Sequence, residues 1–177
     1  MDRRIVKTKK RITGAFIELL EKYSRDRIRV KDICEHAKIN KTTFYKHYVD
    51  SDELATEIDD TVTDRVVDGF PERGELLSEP EAYVEGLSEA IERETDKLTV
   101  VYRGRVDFLC AKLEAKLREY YDLKETASEK RIMLSFAISG VVRVLVERTF
   151  TNKNERCDKK VLSKYLMNMI RKVIPAT

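Results

Sequence analysis

From residue 41 to residue 48 the chain reads Lys41-Thr42-Thr43-Phe44-Tyr45-Lys46-His47-Tyr48. Phe44 and Tyr48 are four apart, the spacing of one buried edge on a helix, so Lys41, Thr42, Thr43, Tyr45, Lys46 and His47 line the exposed arc. Those side chains suit a polyanion. Lys supplies charge that displaces condensed counterions, and Thr and Tyr hydroxyls donate to phosphate oxygens. A Thr methyl can also touch a thymine methyl in the major groove. Upstream, Arg3, Arg4, Lys7, Lys9, Lys10 and Arg11 read either as a basic arm that follows a nucleic-acid backbone or as a frayed, solubilising terminus.

The elements around this segment are helical. Ile12, Ala15, Phe16, Leu19, Leu20 and Tyr23 draw one apolar stripe, which predicts a helix from about Arg4 to Tyr23. Ser24-Arg25-Asp26 interrupts it, and Val30, Ile33, Cys34 and Ala37 form a second, shorter stripe. Lys38-Ile39-Asn40 breaks the pattern, and a third helix opens after Asn40, whose side-chain oxygen suits an N-cap. Two short helices joined this way form a helix-turn-helix, in which the second helix enters the major groove. Asp50 and Glu53 have capping-box spacing for a fourth helix through Leu54, Ile58, Val62 and Val66 towards Gly69.

Beyond it, Phe70-Pro71-Glu72-Arg73-Gly74 reads as a loop, and Ser78-Glu79-Pro80-Glu81 opens a helix whose stripe is Tyr83, Val84, Leu87, Ala90 and Ile91. The pattern weakens at 99–104, where a short helix or a break is expected. It then resumes with Val106, Leu109, Cys110, Leu113, Leu117 and Tyr120, ending near Asp122. Two more helices are expected at about Ala127–Phe150 and Asp158–Ile174. The first is apolar nearly all round from Ile132 to Val146, with Arg143 as its one charge there. Such a helix must be covered on every side: it is either the central helix of a monomer or, the reading we favour, one packed partly on a second copy, with Gly140 allowing close approach. The last helix carries a wide band of Val161, Leu162, Tyr165, Leu166, Met169, Ile170 and Val173. The fold class is all-α with eight or nine helices.

Composition agrees. Six Gly and three Pro in 177 residues are too few for a sandwich or barrel of many short strands. Residues 1–50 hold 14 Lys and Arg against 7 Asp and Glu, whereas residues 51–177 hold 21 against 25. The net charge of +3 therefore divides into a basic head at +7 and a body at −4. This sets the expected organisation: 1–50 a head built for a polyanion such as DNA, 51–177 a helical body built for something else, dimerisation included. The three Cys, Cys34, Cys110 and Cys157, form no C-x-x-C pair and fit a reducing compartment. Cys34 and Cys110 read as core residues and Cys157 as exposed. The chain shows no signal peptide and no run long enough to span a bilayer, so a cytoplasmic protein without membrane association is expected. No phosphate-binding loop, zinc-protease motif, nucleophile elbow or Cys/His cluster occurs, so neither catalysis, metal nor cofactor is expected.

Ile33 to Ala37, the turn, Thr43-Phe44-Tyr45, His47-Tyr48 and Asp50 to Leu54 resemble the N-terminal signature of TetR-type bacterial transcriptional regulators. The stretch Phe136 to Gly140 is similar to some branches of that family. The resemblance implies a helix-turn-helix head, a helical regulatory body, a homodimer on a near-palindromic operator in double-stranded DNA, and often a small effector that releases it. A repressor is the commonest role; an activator, or an architectural or interaction module without an effector, is the alternative. The family's DNA contacts carry over to Thr42, Thr43, Tyr45 and His47, with Lys46 beside them. Tyr102, Phe108, Met133 and Phe136 are the candidate effector-lining residues, although core packing explains them too. Three positions depart from the family pattern: Lys38 stands where Gly is usual in the turn, Arg29 replaces the Thr or Ser that caps the second helix, and Ser51 replaces a Lys. Lys38 implies either left-handed strain of about 1 kcal/mol or a different turn.

Overall fold

A computed structural model describes residues 3–70, 80–120 and 128–173. Two compact units divide the chain at Met1–Val62 and Thr63–Thr177. The first unit thus runs past the boundary at residue 50 drawn from the sequence.

In the first unit, α1 (Arg3–Lys22) buries Ile12, Ala15, Phe16, Leu19 and Leu20 on one face. Tyr23, expected on that stripe, follows the helix end and is half exposed. It lines an open groove of about 690 Å³ with Leu19, Arg27, Ile28, Asp32, Glu35 and His36. A 3-10 turn at Arg25–Arg27 leads into α2 (Val30–Ala37), which buries Ile33, Cys34 and Ala37. Then come α3 (Lys41–Tyr45) and α4 (Ser51–Asp68). The first half of α4 belongs to this unit because Leu54, Ala55 and Ile58 are buried there and two polar ties hold it. Lys9 Nζ meets Glu57 Oε2 at 2.6 Å, and Arg25 Nη1 meets the buried Asp59 carboxylate at 2.9 Å.

The second unit takes the remainder of α4 and adds α5 (Pro80–Arg93), α6 (Thr95–Val101), α7 (Val106–Tyr120), α8 (Ser128–Phe150) and α9 (Lys159–Val173). Nine α-helices and no strand appear among the described residues, as an all-α reading requires. The expected loop at 71–74, the Ser78 end of the capping box and the chain around Asp122 lie outside those residues. In α5 the predicted stripe of Tyr83, Val84, Leu87, Ala90 and Ile91 is fully buried. Gly86 is required there: a Cβ would stand 2.7 Å from the ring of Phe70. The weak pattern at 99–104 resolves as the end of α6 and a tight turn at Gly104, whose φ is +72°.

α8 packs against α5, α6, α7 and α9. Its buried side is Leu134, Ala137, Ile138, Val141, Val142, Leu145, Val146 and Thr149. The opposite side leaves Ile132 and Phe136 exposed at 68% and 65%. On α9, Leu166 and Ile170 are buried while Val161, Tyr165 and Met169, spaced four apart, stand open. Three residues of the wide band read from the sequence are therefore uncovered within one chain. Arg143, the lone charge in the apolar stretch of α8, is held by Asp107 and Glu147; those hydrogen bonds raise its pKa and keep it charged.

Candidate nucleic-acid interface

The α2–turn–α3 segment is built by local bonds. At the start of α2, Arg29 has no acceptor to offer the first turn, yet Asp32 reaches back and accepts from the Arg29 N–H at 2.9 Å, so half of a reciprocal cap survives. At its end, Lys38 adopts the left-handed conformation (φ +53°, ψ 50°), the one non-glycine with positive φ among the described residues. Lys38 N–H donates to Glu35 O and Ile39 N–H to Cys34 O at 3.2 and 3.0 Å, the paired bonds of a Schellman stop. Of the two alternatives the sequence left, left-handed strain is the one adopted. Arg11 on α1 then donates from Nη2 to Ala37 O at 2.5 Å and Lys38 O at 2.9 Å.

Asn40 caps α3 as expected, accepting from the Thr43 N–H at 2.7 Å. It also accepts from the Thr43 hydroxyl at 2.8 Å, a bond that residue spacing did not disclose. Phe44 and Tyr48 are buried beneath the helix, with rings 5.7 Å apart. The Tyr48 hydroxyl donates to Glu57 Oε1 at 2.8 Å, and Lys9 lies 5.0 Å over its ring. Burial, then the bond to Glu57, raises the Tyr48 pKa and keeps the phenol protonated. With those two rings underneath, Lys41, Thr42, Tyr45 and Lys46 are exposed and Thr43 and His47 half-buried. Tyr45 is 56% exposed and meets Phe44 edge-on. The structure thus brings all six sequence-chosen residues into one short segment.

The six basic residues upstream divide. All six lie on α1, with Arg3, Arg4, Lys7 and Lys10 exposed, Arg3, Lys7 and Lys10 at the i, i+4, i+7 spacing of one face. Lys9 and Arg11 are committed to internal bonds. No pattern in the sequence singles out those two; the clue is that Arg11 adjoins the fully buried Ile12 and that a non-glycine turn needs outside support. Asp50 accepts from the N–H groups of Asp52 and Glu53, and Glu53 accepts from Val49 N–H, so the cap on α4 forms with Asp in place of Ser. Ser51 is the half-buried first residue of α4.

The four candidate effector residues differ in burial. Tyr102 is fully buried and its ring lies 6.3 Å from that of half-exposed Phe108, with the Arg105 guanidinium over both. Met133 is half-buried, and Phe136 lies on the open side of α8. Cys34 and Cys110 are buried, which raises their thiol pKa values and suppresses thiolate; Cys157 is exposed. No described helix is long and apolar enough to cross a membrane.

No family model matches the chain. A curated protein of Bacillus subtilis (strain 168), an uncharacterized HTH-type transcriptional regulator called YxbF, is 38% identical over 55 residues. That stretch covers 30% of this chain, and the chain spans only 14% of the length of that relative. A solved structure, a TetR transcriptional regulator from Streptococcus agalactiae 2603V, superposes with a TM-score of 0.63 at 24% identity, covering 96% of each chain. The nine helices, with a helix-turn-helix in the N-terminal unit, therefore have the all-α fold of a TetR-type transcriptional regulator.

Proposed function

We propose that the chain is a sequence-specific DNA-binding transcriptional regulator of the TetR type, a homodimer acting most simply as a repressor. The observation that carries this is the exposed face of α3: Lys41, Thr42 and Tyr45 stand outward on a helix whose only buried side chain is Phe44, and Lys46, exposed, follows at its C-cap. Such a helix gains little for a core and is explained by what it meets outside. Lys41, Thr42, Thr43, Tyr45, Lys46 and His47 are the contacting set, and Arg3, Lys7 and Lys10 add phosphate contacts from α1.

Pairing through α8 and α9 is supported by the open strip of Ile132, Phe136, Val161, Tyr165 and Met169. At Gly140 a Cβ would meet nothing within 4 Å, so a second backbone has room to approach. Phe136 reads better as part of this pairing face than as an effector contact. An effector would sit against Tyr102 and Phe108 and act by preferring one conformation of the body.

Two heads on a twofold axis read half-sites about one helical turn (~34 Å) or a small multiple apart. Selection of bound sequences from a random duplex pool should therefore return a near-palindrome. If each head neutralises about four phosphates, log K against log salt falls with a slope of about −7. A pool that yields no consensus, or binding indifferent to salt, overturns the proposal.

A further inference from the structure

We infer that Arg11 is a positioning residue for the recognition helix: its guanidinium clamps the left-handed Lys38 turn from α1 and so fixes how α3 is presented. The inference rests on the DNA-binding reading above, but the clamp can be tested without DNA. A left-handed non-glycine residue is intrinsically unfavourable, and the Schellman bonds satisfy only the carbonyls of Cys34 and Glu35. The carbonyls of Ala37 and Lys38 are taken instead by one nitrogen of Arg11, at 2.5 and 2.9 Å. A cation at a helix C-terminus also meets the negative end of the helix dipole. Holding the Lys38 carbonyl fixes the peptide plane that leads to Ile39, and the next residue, Asn40, is the cap on which α3 starts. A glycine at position 38 relaxes into this turn unaided; a lysine does not, and Arg11 supplies the missing constraint. Arg11 therefore acts through the backbone, without touching the duplex.

The test is a double-mutant cycle of Arg11→Met and Lys38→Gly in the full-length protein, with Arg11→Lys as the milder variant should Arg11→Met fail to fold. Thermal melting comes first. Arg11→Met should lower the midpoint in the Lys38 background and lower it by less than half as much in the Lys38→Gly background. Strict additivity would overturn the clamp whether or not the protein binds DNA. Binding is then measured against the duplex recovered from the random pool with wild-type protein. Arg11→Met should weaken it about tenfold while the salt slope stays as it was, because no phosphate contact is lost. Lys38→Gly should shrink that loss to about twofold, and Arg11→Lys, which offers one donor direction at a time, should fall between. A slope reduced by about 2 per dimer, with no relief from Lys38→Gly, would make Arg11 a phosphate contact and overturn the positioning role. If melting shows the coupling but no duplex is recovered, the clamp stands as a structural device and its role in recognition falls with the function.

Discussion

The Thr43 hydroxyl gives its proton to Asn40, so its donor is already engaged before any duplex arrives. Tyr45, 56% exposed, makes no such bond among the described residues. Tyr45→Ala should accordingly cost specific binding about 1–3 kcal/mol with an almost unchanged melting temperature, checked by titration and calorimetry on the same sample. Asn40→Ala should behave oppositely in stability, losing about 1 kcal/mol with its cap. Tyr48 belongs to the same scale. Its pKa in the fold lies above the ordinary 10.0, so the folded state holds that proton more tightly than the unfolded one. The stabilisation is complete below pH 10.0 and is lost as pH climbs towards the folded value. The urea midpoint should fall more steeply between about pH 8 and 10.5 for the wild type than for Tyr48→Phe. Equal slopes would show that Tyr48 is not the titrating group.

Among the elements, α1 and the 3-10 turn after it are tied to the first half of α4 by charges that sequence periodicity cannot see. The Asp59 side chain is 3% exposed and Arg25 reaches it at 2.9 Å. Arg25→Met leaves a buried carboxylate without that partner and should destabilise the first unit by roughly 2–4 kcal/mol, with Arg25→Met/Asp59→Asn recovering part of the loss in chemical denaturation. The helices themselves were legible because Asn40, Asp50 and the 3- and 4-residue stripes each carry a local cause. Partners distant in sequence were not: Glu57 for Lys9 and Tyr48, or the two carbonyls for Arg11, depend on how elements meet. Tyr23 was misread for a related reason, since the stripe continued on paper after the helix had ended at Lys22. The exposed face of α3 was readable because Phe44 and Tyr48 leave a single way for a short helix to sit.

For the whole molecule, the strip on α8 and α9 sets the expected assembly. Phe136→Glu and Tyr165→Glu change side chains that are 65% and 61% exposed in one chain, so each protomer should keep its helical circular dichroism. Sedimentation should nonetheless shift from dimer to monomer, and affinity for the selected duplex should drop at least a hundredfold as two-headed binding is lost. A dimer that survives both substitutions would place pairing elsewhere. The sequence of α8 allows either a central helix or one with a side left for a second copy; which residues stay open, Ile132 and Phe136 among them, depends on where its neighbours lie. The cysteines add a practical corollary. With Cys34 and Cys110 sunk in the interior and their thiols protonated, a maleimide dye should find Cys157 alone, ahead of α9. One fluorophore per polypeptide, at a defined spot, turns resonance energy transfer between differently coloured copies into a ruler for subunit exchange.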